Sequence, residues 1–411
     1  MIRRHPLRPS RLFSVALLAV ACDPGHAPPS GAKAKAPKPE RPFAKFDSSS
    51  VEQADAKPTA KPPIERDTKA DRPRTDEDAK MAADNRRTGA ADEFAASRDQ
   101  PAPPVTAKPG TPEWFVQGLA AFRAGDIDPI VANFALDIEW DAVGSPLEPP
   151  SKGKPAVLSR WEDLLTAIPD MKLHARRIFH HGELVVMQVV LTGTHKGDFR
   201  GIAATGKPLG AEVLAWIWHD ASGKAKRVKV VYDEATLLAQ MGQLGGGEAP
   251  PVPAIPDGDP EIIAADADAP ASKTLQTMLA GGKKAWTLCE TKLCSLPLVA
   301  HDTRMGSVNE DAAQHQAMHD AFFAAFPDMR VKLTDVTSFG AGWAVALVTM
   351  KGTHKADLGG MKATGKKVEL AMTELVRLQD GKIAETWMYS NHLQLLAAVG
   401  MFTPPGAAAP K

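Results

Sequence analysis

Cysteine is scarce: the chain has 3 in 411 residues, too few for a disulfide scaffold or a four-thiolate zinc site. No CxxC or HExxH spacing occurs either, so metal chemistry has no anchor in the sequence and no cofactor is expected. Charge of one sign is also missing. The 49 Lys+Arg balance 49 Asp+Glu, which leaves no basic footprint for nucleic acid, and nucleic-acid binding is set aside. Tyrosine is down to 2, and no apolar run is long enough to span a bilayer as a helix. What the chain does have is length for two or three domains and an abundance of proline (35) and glycine (32), the mark of globular units joined by open tracts.

Residues 1–21 read as a signal peptide, with Arg3, Arg4, Arg8 and Arg11 ahead of the apolar run LFSVALLAV (12–20). The run closes in Ala19-Val20-Ala21-Cys22, which resembles a bacterial lipobox, with Ala19 where leucine is usual. That resemblance implies lipidation of Cys22 and a membrane anchor in the cell envelope; the same AVA triplet also suits cleavage by an ordinary signal peptidase. Residues 22–110 are rich in proline, alanine and mixed charge and poor in large apolar side chains, which predicts a disordered stalk with a reach of about 50 Å.

Self-similarity is the strongest signal. GTHKGDFRGIAATGKPL (193–209) aligns with GTHKADLGGMKATGKKV (352–368) at 10 of 17 positions. AIPDM (167–171) matches AFPDM (325–329), and Leu237-Leu238 matches Leu395-Leu396. One domain is present twice, over 111–243 and 269–403, with a Gly/Pro linker at 244–268 and a short tail at 404–411. Units of this size bury enough surface to fold alone, and each copy is expected to do so. In copy one, Thr111-Pro112 starts a helix, a second follows at Ile130, and Ala156–Ala167 forms a third. Five strands then follow, at 138–143, 173–179, 184–193, 212–218 and 227–232. Helices followed by a run of strands are the α+β pattern, predicting one bent antiparallel sheet with helices on its concave face.

The order PDM, GTHK…ATGK, a GK hairpin, and DEATLLAQMG (233–242) or NHLQLLAAVG (391–400) resembles the SnoaL-like branch of the nuclear transport factor 2 superfamily, which includes polyketide and ester cyclases. The resemblance implies two tandem conical barrels around apolar pockets, and it implies members that catalyse beside members that only bind. Its acid/base carboxylate falls on Asp233 in copy one and on Asn391 in copy two, where no general base is possible. Its second polar position is read at Trp216 and at Glu374, so neither copy carries the pair intact. Alternation along 227–233 sets Val228, Val230 and Tyr232 on one face and Asp233 on the other. Asp233 is therefore either a base or a helix cap. Trp140, Trp216, Trp387, Tyr389 and Asn391 are candidate pocket walls. His195 and His354, each within GTHK, are either acid/base and ligand contacts or hairpin residues copied by duplication. Cys289 and Cys294 can form a disulfide only if a helix ends between them. The expected function is an exported lipoprotein that binds a small hydrophobic molecule without catalysis, with room for homo-oligomers. The alternative is a cyclase- or isomerase-type enzyme with Asp233 as base, assisted by His195.

Overall fold

In a computed structural model of the chain, residues 102–244, 249–265, 273–274, 294–303, 308–310 and 312–403 are described. The expected signal peptide, Cys22, Cys289, the expected tail and the expected stalk up to residue 101 lie outside them.

Copy one opens with α1 (Pro112–Arg123), capped by the Thr111 hydroxyl with proline at its first position, and α2 (Asp128–Ala132). There follow β1 (Phe134–Ala142), β2 (Ser151–Lys152), α3 (Lys154–Ala167), β3 (Lys172–His181), β4 (Leu184–Thr194), β5 (Pro208–His219), β6 (Ala225–Val231) and α4 (Glu234–Met241). A strand from the connector, β7 (Glu261–Ala264), comes next. Copy two supplies β8 (Cys294–Asp302), β9 (Val308–Glu310), α5 (Ala312–Ala325), β10 (Arg330–Ser338), β11 (Trp343–Thr353), β12 (Lys367–Gln379), β13 (Lys382–Ser390) and α6 (His392–Val399). Cys294 thus opens a strand. Among the described residues no helix is long and apolar enough to cross a membrane.

The α+β class and the duplicated sheet-and-helix layout are as expected, but the sheets are mixed rather than antiparallel. Their orders are β2-β1-β6-β5-β4-β3-β7 and β10-β11-β12-β13-β8-β9, with β1–β6, β3–β7 and β8–β13 parallel. The first strand of each copy returns beside the last after a helical excursion, and such a connection can be parallel where a short hairpin cannot.

Two boundaries move, and the copies meet. The chain is already packed before Thr111: the Thr106 and Ala107 amides donate to Gln117 Oε1 at 2.8 Å, and Val105 lies on the copy-one core. A Cβ on Gly223 (φ +81°) would stand 2.2 Å from the Pro109 carbonyl oxygen, so this approach requires glycine. Second, the connector is part of the first sheet, because Arg177–His180 pair with Glu261–Ala264. Third, the copies are docked against each other. One buried cluster draws Phe179, Val186 and Trp216 from copy one and Phe339, Trp343, Leu375, Trp387 and Tyr389 from copy two. The central strands of each sheet thus bury both faces, one under the copy's own helices and one against the other copy.

Candidate functional site

The ends of the last strands fix Asp233 and Asn391. Both begin helices from extended backbone, Asp233 accepting from the Ala235 and Thr236 amides and Asn391 from the Leu393 amide. Asp233 Oδ1 also accepts from the His392 amide at 2.8 Å, and Oδ2 from the Thr236 hydroxyl at 2.9 Å. One carboxylate therefore serves two helix N-termini, α4 in its own copy and α6 in the other. The face opposite Val228 and Val230 is not solvent but copy two, and Asp233 is only 2% exposed there. As a catalytic assignment this is a correction. A base needs an oxygen open to substrate, and both oxygens of Asp233 are taken up by donors.

The two GTHK histidines are fully buried. His195 Nδ1 lies 3.0 Å from the Thr205 hydroxyl and His354 Nδ1 3.2 Å from that of Thr364, closing the loop between GTHK and ATGK. The PDM aspartates hold the same loop from outside: Asp170 and Asp328 accept from the Thr194 and Thr353 amides, each at 2.8 Å. Lys207 reaches the Met241 carbonyl at the end of α4. The repeated motifs are thus a set of mutual hydrogen bonds that anchors each hairpin to its two helices.

Trp216, Trp387 and Tyr389, read as pocket walls, point into the interface between copies. Trp216 Nε1 donates to Thr373 Oγ1 at 3.3 Å, Tyr389 OH accepts from Gln188 Nε2 at 2.9 Å, and Trp387 stacks flat on His301 at 4.5 Å. For Trp216 the reason is a slip of one residue, whereas Trp387 and Tyr389 share the Asn391 side of β13, which faces copy one. The ladders pair Val230 with Ala215 and Met388 with Glu374, so the copy-one counterpart of Glu374 is Ala215 and not Trp216. A slip of one exchanges the two faces of a strand. Glu374 does lie on the concave side of copy two, where its carboxylate accepts from the Thr386 hydroxyl and it is 4% exposed. Trp140 lies on the copy-one concave core, edge-on to Trp161 at 6.0 Å, with its Nε1 donating to Glu148 at 3.2 Å.

The sequence profile of the SnoaL-like polyketide cyclase family matches residues 115–241 and 290–399. The chain belongs to this family. Among solved structures it is similar to AclR, a putative hydroxylase from Streptomyces galilaeus, at 21% identity over 32% of this chain and 97% of that one (TM-score 0.30). It is likewise similar to IdmH, a putative polyketide cyclase from Streptomyces antibioticus, at 22% over 32% and 98% (TM-score 0.27). A putative SnoaL-like polyketide cyclase from Jannaschia sp. CCS1 aligns at 17% over 34% and 97% (TM-score 0.29). No curated protein matches the chain.

The first SnoaL-like copy carries a buried charge network that sequence reasoning missed. Glu148 receives Trp140 and Arg160 on Oε1 (3.2 and 3.1 Å), and Arg200 and Tyr232 on Oε2 (3.0 and 3.4 Å). Glu234 accepts from Ser145 at 2.6 Å and from Asn391 of the second copy at 2.8 Å, with Arg200 3.7 Å away. Burial pushes the Glu234 carboxyl above its ordinary 4.5 and the Tyr232 phenol well above 10. One sequence signal existed. Arg200 holds φ +55°, and its SnoaL-like counterpart Gly359 holds +52°; an arginine in a glycine position is a strain of about 1–3 kcal/mol that a specific contact must offset. In this network too, every Glu148 oxygen is occupied.

A pH dependence follows. Burial lowers His195 below its usual 6.5, so the unfolded chain binds the proton more readily than the SnoaL-like fold. The stability this histidine contributes is present above pH 6.5 and is lost as pH falls below it. The difference in unfolding free energy between wild type and His195→Gln, followed in urea, should therefore shrink between pH 7 and pH 5, by at most about 1.4 kcal/mol per unit. A difference independent of pH would refute this assignment.

Proposed function

We propose that the protein is an exported binding protein, tethered through lipidated Cys22, that holds a small apolar molecule against the concave face of copy two and performs no proton-transfer catalysis. The observation that carries this is the composition of that face. Met318, Met329, Met350, Met361, Met372 and Met388 belong to one buried cluster, and Glu374, on the same side of β12, provides a carboxylate beside them. Methionine is unbranched and polarisable and fits apolar guests of irregular shape, and a single polar group among apolar walls is the usual make-up of a small-molecule site. Copy one, with Ala215 at the equivalent place and Trp140, Trp161 and Phe134 packed over its sheet, has no such carboxylate at that position. The enzyme reading loses its base, since both oxygens of Asp233 accept hydrogen bonds from helix starts. For export and anchoring the support is the charged n-region and the AVA-Cys sequence.

The test uses the neutral probe N-phenyl-1-naphthylamine with the full chain. Met372→Trp should fill the copy-two face and weaken probe binding by about tenfold or more, a difference of ~1.4 kcal/mol, while Trp140→Phe in copy one leaves it unchanged. Equal binding in wild type and Met372→Trp would move the site elsewhere. Mass spectrometry of the mature N-terminus decides the anchor: an unmodified Cys22 or a cut at another residue removes it.

A further inference from the structure

A second concave feature lies at the margin of the copy-one core, where the connector crosses it. It is a cleft of about 150 Å³ between α1, β3 and the segment ahead of β7. Val116 and Leu119 of α1 and Ala175 of β3 give it an apolar lining, and Arg123, His174 and Asp259 converge on it. Leu119 and Ala175 are buried, Arg123 and His174 half-buried, and Asp259 exposed.

The polar groups are underused. Arg123 Nη1 donates to the Leu173 carbonyl at 3.0 Å, which tethers the guanidinium, while Nε and Nη2 have no hydrogen-bond partner among the described residues. Asp259 lines the same cleft as Arg123, and among the described residues no ion pair joins them. The His174 ring is likewise without a hydrogen bond among the described residues. A fixed guanidinium with two free donors presents a fork suited to a carboxylate, and a carboxylate on the facing wall suits an ammonium. A cavity of this size holds a guest of about six carbon atoms, more where it opens to solvent.

We propose that this cleft binds a small apolar α-amino acid, with its carboxylate on Arg123, its ammonium on Asp259 and its side chain against Val116, Leu119 and Ala175. The site is independent of the copy-two face. It exists only because the connector folds back as β7, so an occupant also ties the connector to α1.

The full chain is titrated with L-valine, isovalerate and isobutylamine, by calorimetry and saturation-transfer NMR. Saturable valine binding is expected, tighter than that of isovalerate or of isobutylamine. Arg123→Met should weaken valine binding by about tenfold or more, since hydrogen bonds to charged groups are among the stronger ones. Asp259→Asn, at an exposed position where folding is not at stake, should weaken valine and leave isovalerate unchanged. Absence of saturable valine binding overturns the proposal. So does isovalerate binding as tightly as valine with Asp259→Asn indistinguishable from wild type.

Discussion

Replacing Trp216 by alanine is expected to lower the unfolding free energy by about 3–5 kcal/mol, the usual cost of removing a fully buried tryptophan. Its indole stacks on Trp218 at 5.6 Å and donates to Thr373 across the copies, so the change opens a cavity between two sheets and removes a cross-copy hydrogen bond. The effect should extend to both copies. Urea unfolding followed by circular dichroism and by fluorescence should give one transition at a lower midpoint for Trp216→Ala. If part of the signal kept the wild-type midpoint, copy two would be folding without regard to its neighbour, and the shared cluster would not couple them.

The second large effect is at Asp233. Asp233→Ala removes the cap of α4, typically about 1 kcal/mol, and leaves the buried Thr236 amide and the half-buried His392 amide without this acceptor, for a total of about 2–4 kcal/mol. Asp233→Asn retains one acceptor oxygen but loses the negative charge at two helix N-termini, and should fall between wild type and alanine. Binding of N-phenyl-1-naphthylamine should stay within about twofold of wild type for Asp233→Asn, because Asp233 lies on the side of its strand away from the concave face. A variant as stable as wild type that no longer retained the probe would return Asp233 to the functional site.

The duplication was legible because GTHK and ATGK repeat in register, and the structure shows why both copies retain them: PDM, GTHK and ATGK bond to one another and to the helix ends. The Thr111-Pro112 helix start and the five main strands of copy one were equally legible, as local chemistry and period-two alternation place them. Docking was not. A strand buried on both faces still alternates, and nothing in 227–233 says whether the second face meets water or another sheet. The pocket walls failed through one residue of register at Trp216, which gapless comparison from GTHK would have avoided, since Ala215 and Glu374 stand at equal distances from Gly193 and Gly352. The network around Glu148 and Glu234 draws in Arg200, 52 residues from Glu148, Ser145, 89 from Glu234, and Asn391, 157 from Glu234, and no spacing rule reaches that far.

The junction of α4 and α6 also determines which surface can meet which. Copy one offers two adjacent acids, Asp233 and Glu234, and copy two answers with Asn391 and the amide of His392. Were copy one to meet a second copy of itself through this face, four buried carboxylates would crowd together without the donors Asn391 and the His392 amide supply, a like-charge arrangement costing several kcal/mol. An ordinary twofold dimer requires each patch to complement itself. Joining the two halves in one chain lifts that requirement, and here the halves have become lock and key: the acidic half discriminates against its own kind and recognises its tethered sibling.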